Sequence, residues 1–462
     1  MAYTSESRLI HWTSVQDRSR QLVLTDTRTR RFDLPWAGSV RPFDVPAKNL
    51  AAEITFTNLP PLQDPSAALR HAMDNPIQSP PLRDLVRAGK KVALLTGDRM
   101  TDKMLGSVGG LGHVILDYLN AAGVPDADVS LVFAPGTHAA RDIDEKIGPR
   151  LIGRVGKYIK HLADDDSELT FAGYTAFGNA IWVNRHVADA DVVIGFGEIS
   201  PNSHGGWTGG GKMILPGVAG KASIEHNHRQ LMLPSIPLGL ADANPLRRDM
   251  EAAARLVGLD FKIDVLVDDQ QRIVDIYSGD FVAEHRAALP KAREIWMTKF
   301  DPVDICVFHP ADWRDRTLEG SMFISINAAD LATKDDGIII TCLSAIDGYA
   351  VGEGMPYGDG KTSRDVLKMK AHEIARDMIM GRGNTRTGSI HFATRHVLDR
   401  KRVYLVCDGI DASEGVEFGF AKVFRDPQMA LAQALEEKGA SATVAINLPK
   451  GICWRQMPWR EG

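Results

Sequence analysis

The densest set of reactive side chains lies between residues 191 and 228. A strand-like run, Asp191 to Gly195, leads into a loop holding Gly205, Gly206, Gly209, Gly210 and Gly211, and the loop ends on Lys212. Glycine lets a backbone approach a ligand closely and aim successive N–H groups at an anion. A phosphate or carboxylate is therefore the expected guest, with the Lys212 amine beside it. Trp207, inside the same loop, is the candidate stacking partner; Trp182 and Trp313 are weaker ones. The stretch from Gly206 to Lys212 also fits the nucleoside-triphosphate pattern G-x-x-x-x-G-K. That pattern next needs Ser or Thr for magnesium, and Met213 cannot serve; Pro216 and Gly217 would also break the required helix. A second reactive group, His138, follows Pro135 and Gly136 at the end of another strand-like run. An imidazole there sits where α/β enzymes place ligands, and its ordinary pKa suits proton transfer near neutrality.

The elements that must position these groups alternate. Short apolar, β-branched runs occur at Lys91–Thr96, Val129–Phe133, Asp191–Gly195, Asp304–Phe308, Gly337–Thr341 and Arg402–Val406. Strands buried on both faces by helices read this way, without polar alternation. Helical stretches lie between them: Asp102–Ala122, Pro245–Leu256, Asp280–Trp296, Ser363–Met380 and Gln428–Lys438. The expected fold is α/β, two domains with largely parallel sheets flanked by helices and a cofactor site in the cleft between them. The N-terminal stretch to about residue 85 reads as a small β-rich lead-in, with alternating runs at Leu22–Leu24 and Ile54–Phe56. A boundary falls near residues 265–300, giving a catalytic domain of 1–280 and an α/β domain of 281–462, whose last part could pack back on the first.

With 462 residues, two domains are the natural expectation. Net charge is −5 without long blocks of like charge, which argues against a nucleic-acid partner. Residues 1–18 are polar, and no run of about 18 apolar residues occurs, so neither secretion nor membrane insertion is expected. Cys306, Cys342, Cys407 and Cys453 are widely spaced and read as reduced thiols of a cytoplasmic protein.

Further pieces, in order along the chain, resemble the nickel-pincer lactate racemase family. They are Asn75 to Leu82, Gly89 to Ala93, Gly136-Thr137-His138, Val183 to Arg185, Ala188 to Asp191, the glycine loop with Lys212, Leu215 to Gly217, Glu225 to His228, and Asn244-Pro245 with Asp249-Met250. The resemblance implies a pyridinium-3-thioamide-5-thiocarboxylate mononucleotide, covalent at Lys212 and clamping nickel, with His228 completing the metal's coordination. Imidazole beside sulfur donors suits square-planar nickel. It also implies Asp98, Gly209, Gly210 and Gly211 on the cofactor, beside the stacking candidate Trp207, and His138 as the base that takes the hydroxyl proton of a 2-hydroxy acid while a hydride leaves its α-carbon. Return of hydride to either face makes the family isomerases.

Several positions depart from the pattern. The family's second catalytic histidine stands ten residues before the lysine, where this chain has Asn202, a residue unable to take a proton at neutral pH. His204, two residues on, points the same way along an extended loop and is the candidate replacement. On the substrate side, the family's arginine is shifted to Arg99 or lost, and a Gln-x-x-Lys pair is replaced at Ser321 and Ile324, with Arg314 and Arg316 nearby. Cofactor-side residues are thus kept while substrate-side residues change. The expected activity is a nickel-dependent racemase or epimerase of a 2-hydroxy acid other than lactate, larger and more polar, such as a sugar acid. Alternatives are a one-sided 2-hydroxy-acid oxidoreductase with the same cofactor, or a non-catalytic hydroxy-acid or cofactor-binding homologue. A homodimer is compatible with the sequence, though no residue argues for it.

Overall fold

The structure is a computed structural model describing residues 28–98, 100, 104–138, 143–230, 238–310, 314–352, 354–447 and 454–455. Arg99, Trp313, Cys453 and the Leu22–Leu24 run lie outside the described residues. Among the described residues the chain forms two units, one of Thr57–Ile295 and one joining the segment up to Phe56 with the described residues of Trp296–Met457.

In the Thr57–Ile295 unit a six-stranded sheet runs in the order Ile273–Gly279, Phe261–Val267, Val192–Glu198, Val92–Thr96, Val129–Phe133, Lys157–Lys160. Only the Ile273–Gly279 edge strand is antiparallel. Val92 and Leu94 face one hydrophobic core while Ala93 and Leu95 face another. Both faces are therefore dry, and the expected loss of polar alternation has its physical cause. The chain winds outward from Val92–Thr96 on one side, then returns to lay Val192–Glu198 on the other. That reversal opens a crevice beyond the carboxyl ends of these two strands, the usual ligand position in such sheets.

The second unit has a parallel six-stranded sheet, ordered Lys422–Phe424, Arg402–Val406, Thr333–Cys342, Val303–Phe308, Val444–Asn447, Leu50–Ile54. The N-terminal lead-in supplies its edge strand, Leu50–Ile54, and the antiparallel hairpin Thr29–Trp36/Ser39–Pro46, whose Phe32, Leu34, Trp36, Phe43 and Val45 join its core. Residues before 57 thus group with the C-terminal sheet, whereas the sequence reading put them with the first domain. Cys306, Cys342 and Cys407 are buried free thiols.

Two helices are shorter than expected. Within the expected Asp102–Ala122 helix, Asp102 and Lys103 lie outside the described residues and the chain from Met104 becomes helical only at Leu111–Ala121, because Gly106, Gly109 and Gly110 precede it and Gly109 has φ +85°. Ser363–Met380 divides into Ser363–Lys368 and Ala371–Ile379, the break falling at Met369 with ψ 159°. Among the described residues no helix is long and apolar enough to cross a membrane.

Candidate active site

Three strand ends feed one cavity of about 100 Å³, lined among others by Asp98, His138, Glu198, Asn202, Gly209 and Lys212. Asp98 follows the Val92–Thr96 strand. His138 follows Val129–Phe133 through Gly136, whose φ of +59° and N–H donation to the Gly217 carbonyl (2.9 Å) aim the turn inward. A Cβ at Gly136 would stand 3.1 Å from Pro216, so the family-like Gly-Thr-His turn needs its glycine. His138 Nδ1 lies 2.6 Å from Asp98 Oδ2. A carboxylate at Nδ1 holds the proton there and leaves Nε2 as the basic nitrogen. Asp98, expected on the cofactor, is thus also the orienting partner of His138.

Beyond Glu198 the chain makes a tiny antiparallel ribbon, Pro201–Asn202 with Gly206–Trp207. Asn202 Oδ1 accepts the N–H groups of His204 (3.1 Å) and Gly205 (2.7 Å), so its amide closes the turn between the two strands. That turn carries the His204 ring to 4.8 Å, centroid to centroid, from His228. His228 sits near the end of the Lys221–Arg229 helix, and its Nδ1–H donates to the Ile224 carbonyl at 3.0 Å. The carbonyl can only accept, which fixes the tautomer and leaves the lone pair on Nε2. Burial, with Lys212 and then His138 nearby, lowers His228 to about 3; burial with His228, Lys212 and His138 holds His204 well below the usual range. Both rings are neutral at pH 7. The mutual influence of His138, His204, Lys212 and His228 shows that the sequence-predicted groups converge.

The glycine loop is held from beneath by residues that the sequence reading passed over. Arg247, fully buried, donates Nε–H to Gly205 O (2.7 Å) and Nη1–H to Gly209 O (3.4 Å), and Nη2–H to Trp207 O. Buried His285 donates to Thr208 O at 2.9 Å, and Asp264 accepts the Gly210 N–H at 2.8 Å while pairing with Lys262. Burial, reinforced by Asp264, pushes the Glu284 carboxyl well up, so this cluster keeps one neutral acid. The Pro245–Val257 helix offered a signal: Arg247, Met250 and Ala254 recur at helical spacing on its buried face. Glu198 was missed because the strand was read as ending three residues early.

Some expectations are corrected by burial. Trp207 is fully buried and donates Nε1–H to Gly239 O (3.2 Å), which leaves no ring face for a cofactor. Gly210 gives its N–H to Asp264 rather than to an anion, and a Cβ on Gly211 would meet Glu251 Cα at 3.1 Å, so Gly211 also serves close packing. Gly209 alone of the three lines the cavity. Ser321 is buried with its hydroxyl donating to Leu318 O (3.1 Å). His226 Nε2 faces the Phe177 carbonyl (3.3 Å).

Comparison with known proteins gives this geometry a context. Residues 38–237 match the lactate racemase N-terminal domain. Lactate racemase of Thermoanaerobacterium thermosaccharolyticum is 26% identical over 407 residues, 83% of this chain and 88% of that protein. Lactate racemase of Lactiplantibacillus plantarum is 27% identical over 291 residues, 61% of this chain and 66% of that protein. The solved lactate racemase apoprotein from T. thermosaccharolyticum shares the fold, with TM-score 0.75 at 21% identity over 92% of this chain and all of that one. A Thermotoga maritima protein is similar at TM-score 0.56 and 15% identity, over 86% of this chain and all of that one. With the domain match, the two relatives and the shared fold in agreement, the chain is a divergent homologue of the lactate racemases.

Proposed function

We propose that the protein is a nickel-dependent racemase or epimerase of a 2-hydroxy acid, using a pyridinium pincer nucleotide attached at Lys212. The observation that carries the reading is that Lys212 and His138 line one cavity and both act on a neutral His228, whose Nδ1–H is spent on the Ile224 carbonyl and whose Nε2 therefore carries the lone pair. The donor set fits the group. Lys212 offers an amine to the cavity for the covalent link, and His228 offers one imidazole to the metal. Among the described residues no three His, Cys, Asp or Glu side chains are grouped to hold a metal. Nickel at His228 would therefore take its remaining donors from the bound nucleotide.

When bound, that group would accept and return the hydride of the substrate's α-carbon. The chain's own work is proton handling and orientation. His138, held by Asp98, takes the hydroxyl proton at Nε2 and returns it. His204 serves the opposite hand of substrate, because Asn202 is occupied with backbone amides and carries no basic atom. Asn202, standing where the family has its second catalytic histidine, is the sequence departure that favours a 2-hydroxy acid other than lactate.

The test is the mass of the Lys212 peptide and the nickel content of protein purified from cells that make the cofactor. A stoichiometric adduct with nickel is expected. Unmodified Lys212 without nickel, beside a loaded lactate racemase control, would sink the reading. For loaded protein, both enantiomers of aliphatic, aromatic and polyhydroxy acids in deuterated water separate racemisation from one-sided oxidoreduction. The latter appears as turnover of a single enantiomer that requires an added electron acceptor. Asn202 in place of a second histidine is the feature that keeps that alternative in view.

A further inference from the structure

A loop with five glycines among residues 205–211 has only Trp207 and Thr208 to pack with, and its backbone loses much freedom on ordering. Contacts to the backbone itself must hold the rest of it still. The donors that reach its carbonyl oxygens come mainly from one side chain, Arg247, which spends Nε, Nη1 and Nη2 on Gly205, Gly209 and Trp207. A buried cation normally seeks a carboxylate. Here the neighbouring Glu251 is 3.7 Å away and is itself gripped by Arg286 at 2.8 and 3.1 Å. The loop carbonyls are therefore the closest partners of this guanidinium.

The glycines and the arginine are mutually required. A Cβ on Gly205 would lie 3.2 Å from Arg247 Nη2 and 3.1 Å from the Trp207 carbonyl; one on Gly210 would lie 3.3 Å from Nη1 and 2.9 Å from Phe281 O. Gly205 and Gly210 thus make room for the clamp. The helix bearing Arg247 also grips the metal-binding histidine's helix. Asp249 Oδ2 accepts from Asn227 Nδ2 at 2.9 Å, next to His228, and its two oxygens also take Thr175 (2.6 Å) and Asn179 (2.9 Å). At the head of the same helix Asn244 Nδ2 holds the His204 carbonyl at 3.0 Å. One rigid element therefore touches the Lys212 loop, the His204 turn and the His228 helix.

We propose that Arg247 is a positioning residue: by clamping the carbonyls of Gly205, Trp207 and Gly209 to the Pro245–Val257 helix, it sets the placement of Lys212 relative to His228. Resting on the reading of Lys212 and His228 as the two attachment points of one group, the inference predicts that loosening the clamp impairs retention of that group. Chemistry follows only as a consequence. Arg247→Lys keeps the charge but loses the three-way fork. Gly205→Ala presses on the guanidinium from the loop side and leaves the buried charge in place. Leu119→Ala, a core truncation in the Leu111–Ala121 helix outside the site, controls for lowered stability.

Three quantities are measured on protein from cofactor-making cells: adduct fraction on the Lys212 peptide, nickel per chain, and amide hydrogen exchange of peptides spanning 203–213. Arg247→Lys and Gly205→Ala are each expected to speed loop exchange and to lower nickel retention about 10-fold, while Leu119→Ala lowers the melting temperature without either effect. If Arg247→Lys does not fold, Gly205→Ala carries the comparison. Wild-type retention in the clamp variants, or equal loss in Leu119→Ala, overturns the inference. If wild-type protein takes up no adduct, the functional reading fails, and loop exchange alone decides the clamp: rates equal to Leu119→Ala overturn it.

Discussion

His138 and Asp98 are both substantially exposed, with side chains 58% and 39% accessible, so their 2.6 Å contact adds little stability. Its value is in fixing which nitrogen is basic. Asp98→Asn removes the charge and lets the amide present N–H to Nδ1, favouring the wrong tautomer. On the proposed function, turnover of the 2-hydroxy acid is expected to fall about 10²-fold or more, with the melting temperature unchanged; unchanged turnover in a racemisation assay would remove Asp98 from the mechanism. At this scale the sequence was informative wherever a residue type has few uses. Lys212 after a run of glycines and His138 after Pro135-Gly136 were legible for that reason. Arg247 was not, because a charged residue on an amphipathic helix is ordinarily solvated, and only the third dimension reveals that the loop carbonyls replace water around it. Trp207 erred the other way, since an aromatic residue beside a ligand loop and one buried under it have the same sequence.

Parallel strands were readable at the level of elements because two dry faces erase the polar alternation, as Val92 to Thr96 demonstrates. Leu50–Ile54 was not, because an edge strand paired with Val444–Asn447 depends on a contact almost 400 residues away. Other helices carry buried polar groups with consequences of their own. On the Thr385–Leu398 helix, His391 donates Nδ1–H to Thr387 O (2.7 Å) and lies 2.8 Å from the Tyr349 hydroxyl, which can donate only to a neutral Nε2. Burial lowers its pKa from 6.5 to about 4. The unfolded chain then binds the proton more readily than the fold, so stability is intact above pH 6.5 and is lost as pH falls toward 4. By pH 5 this one group is expected to cost about 2 kcal/mol. His391→Gln lacks the term. Its urea midpoint relative to wild type should therefore improve as pH is lowered from 7 to 5; a constant difference across that range would contradict the assignment.

Across the whole molecule the two units draw differently on the chain. Thr57–Ile295 is one continuous segment holding its complete sheet and every residue that lines the candidate cavity. The other unit is discontinuous, and the 38–237 family match begins inside its N-terminal part. Phe32, Leu34, Trp36, Phe43 and Val45 pack with Ile305, Ile338, Tyr404 and Val444, and Trp36 Nε1–H donates to Asp408 Oδ2 at 2.6 Å. Burying such a side chain is worth about 2 kcal/mol, so the hairpin supplies on the order of 10 kcal/mol, comparable with the net stability of a domain. Removing the Leu50–Ile54 strand along with it also bares the edge of Val444–Asn447, where unpaired backbone groups invite association. A 57–295 fragment is therefore expected to melt cooperatively by calorimetry, whereas a 296–462 fragment should aggregate or melt without a transition. Supplying residues 28–56, co-expressed or fused by a linker, should restore a cooperative melt to the second fragment. A cooperative transition of 296–462 alone would mean that its sheet is stable without the hairpin and the Leu50–Ile54 strand, and that the energetic weight assigned to them is wrong.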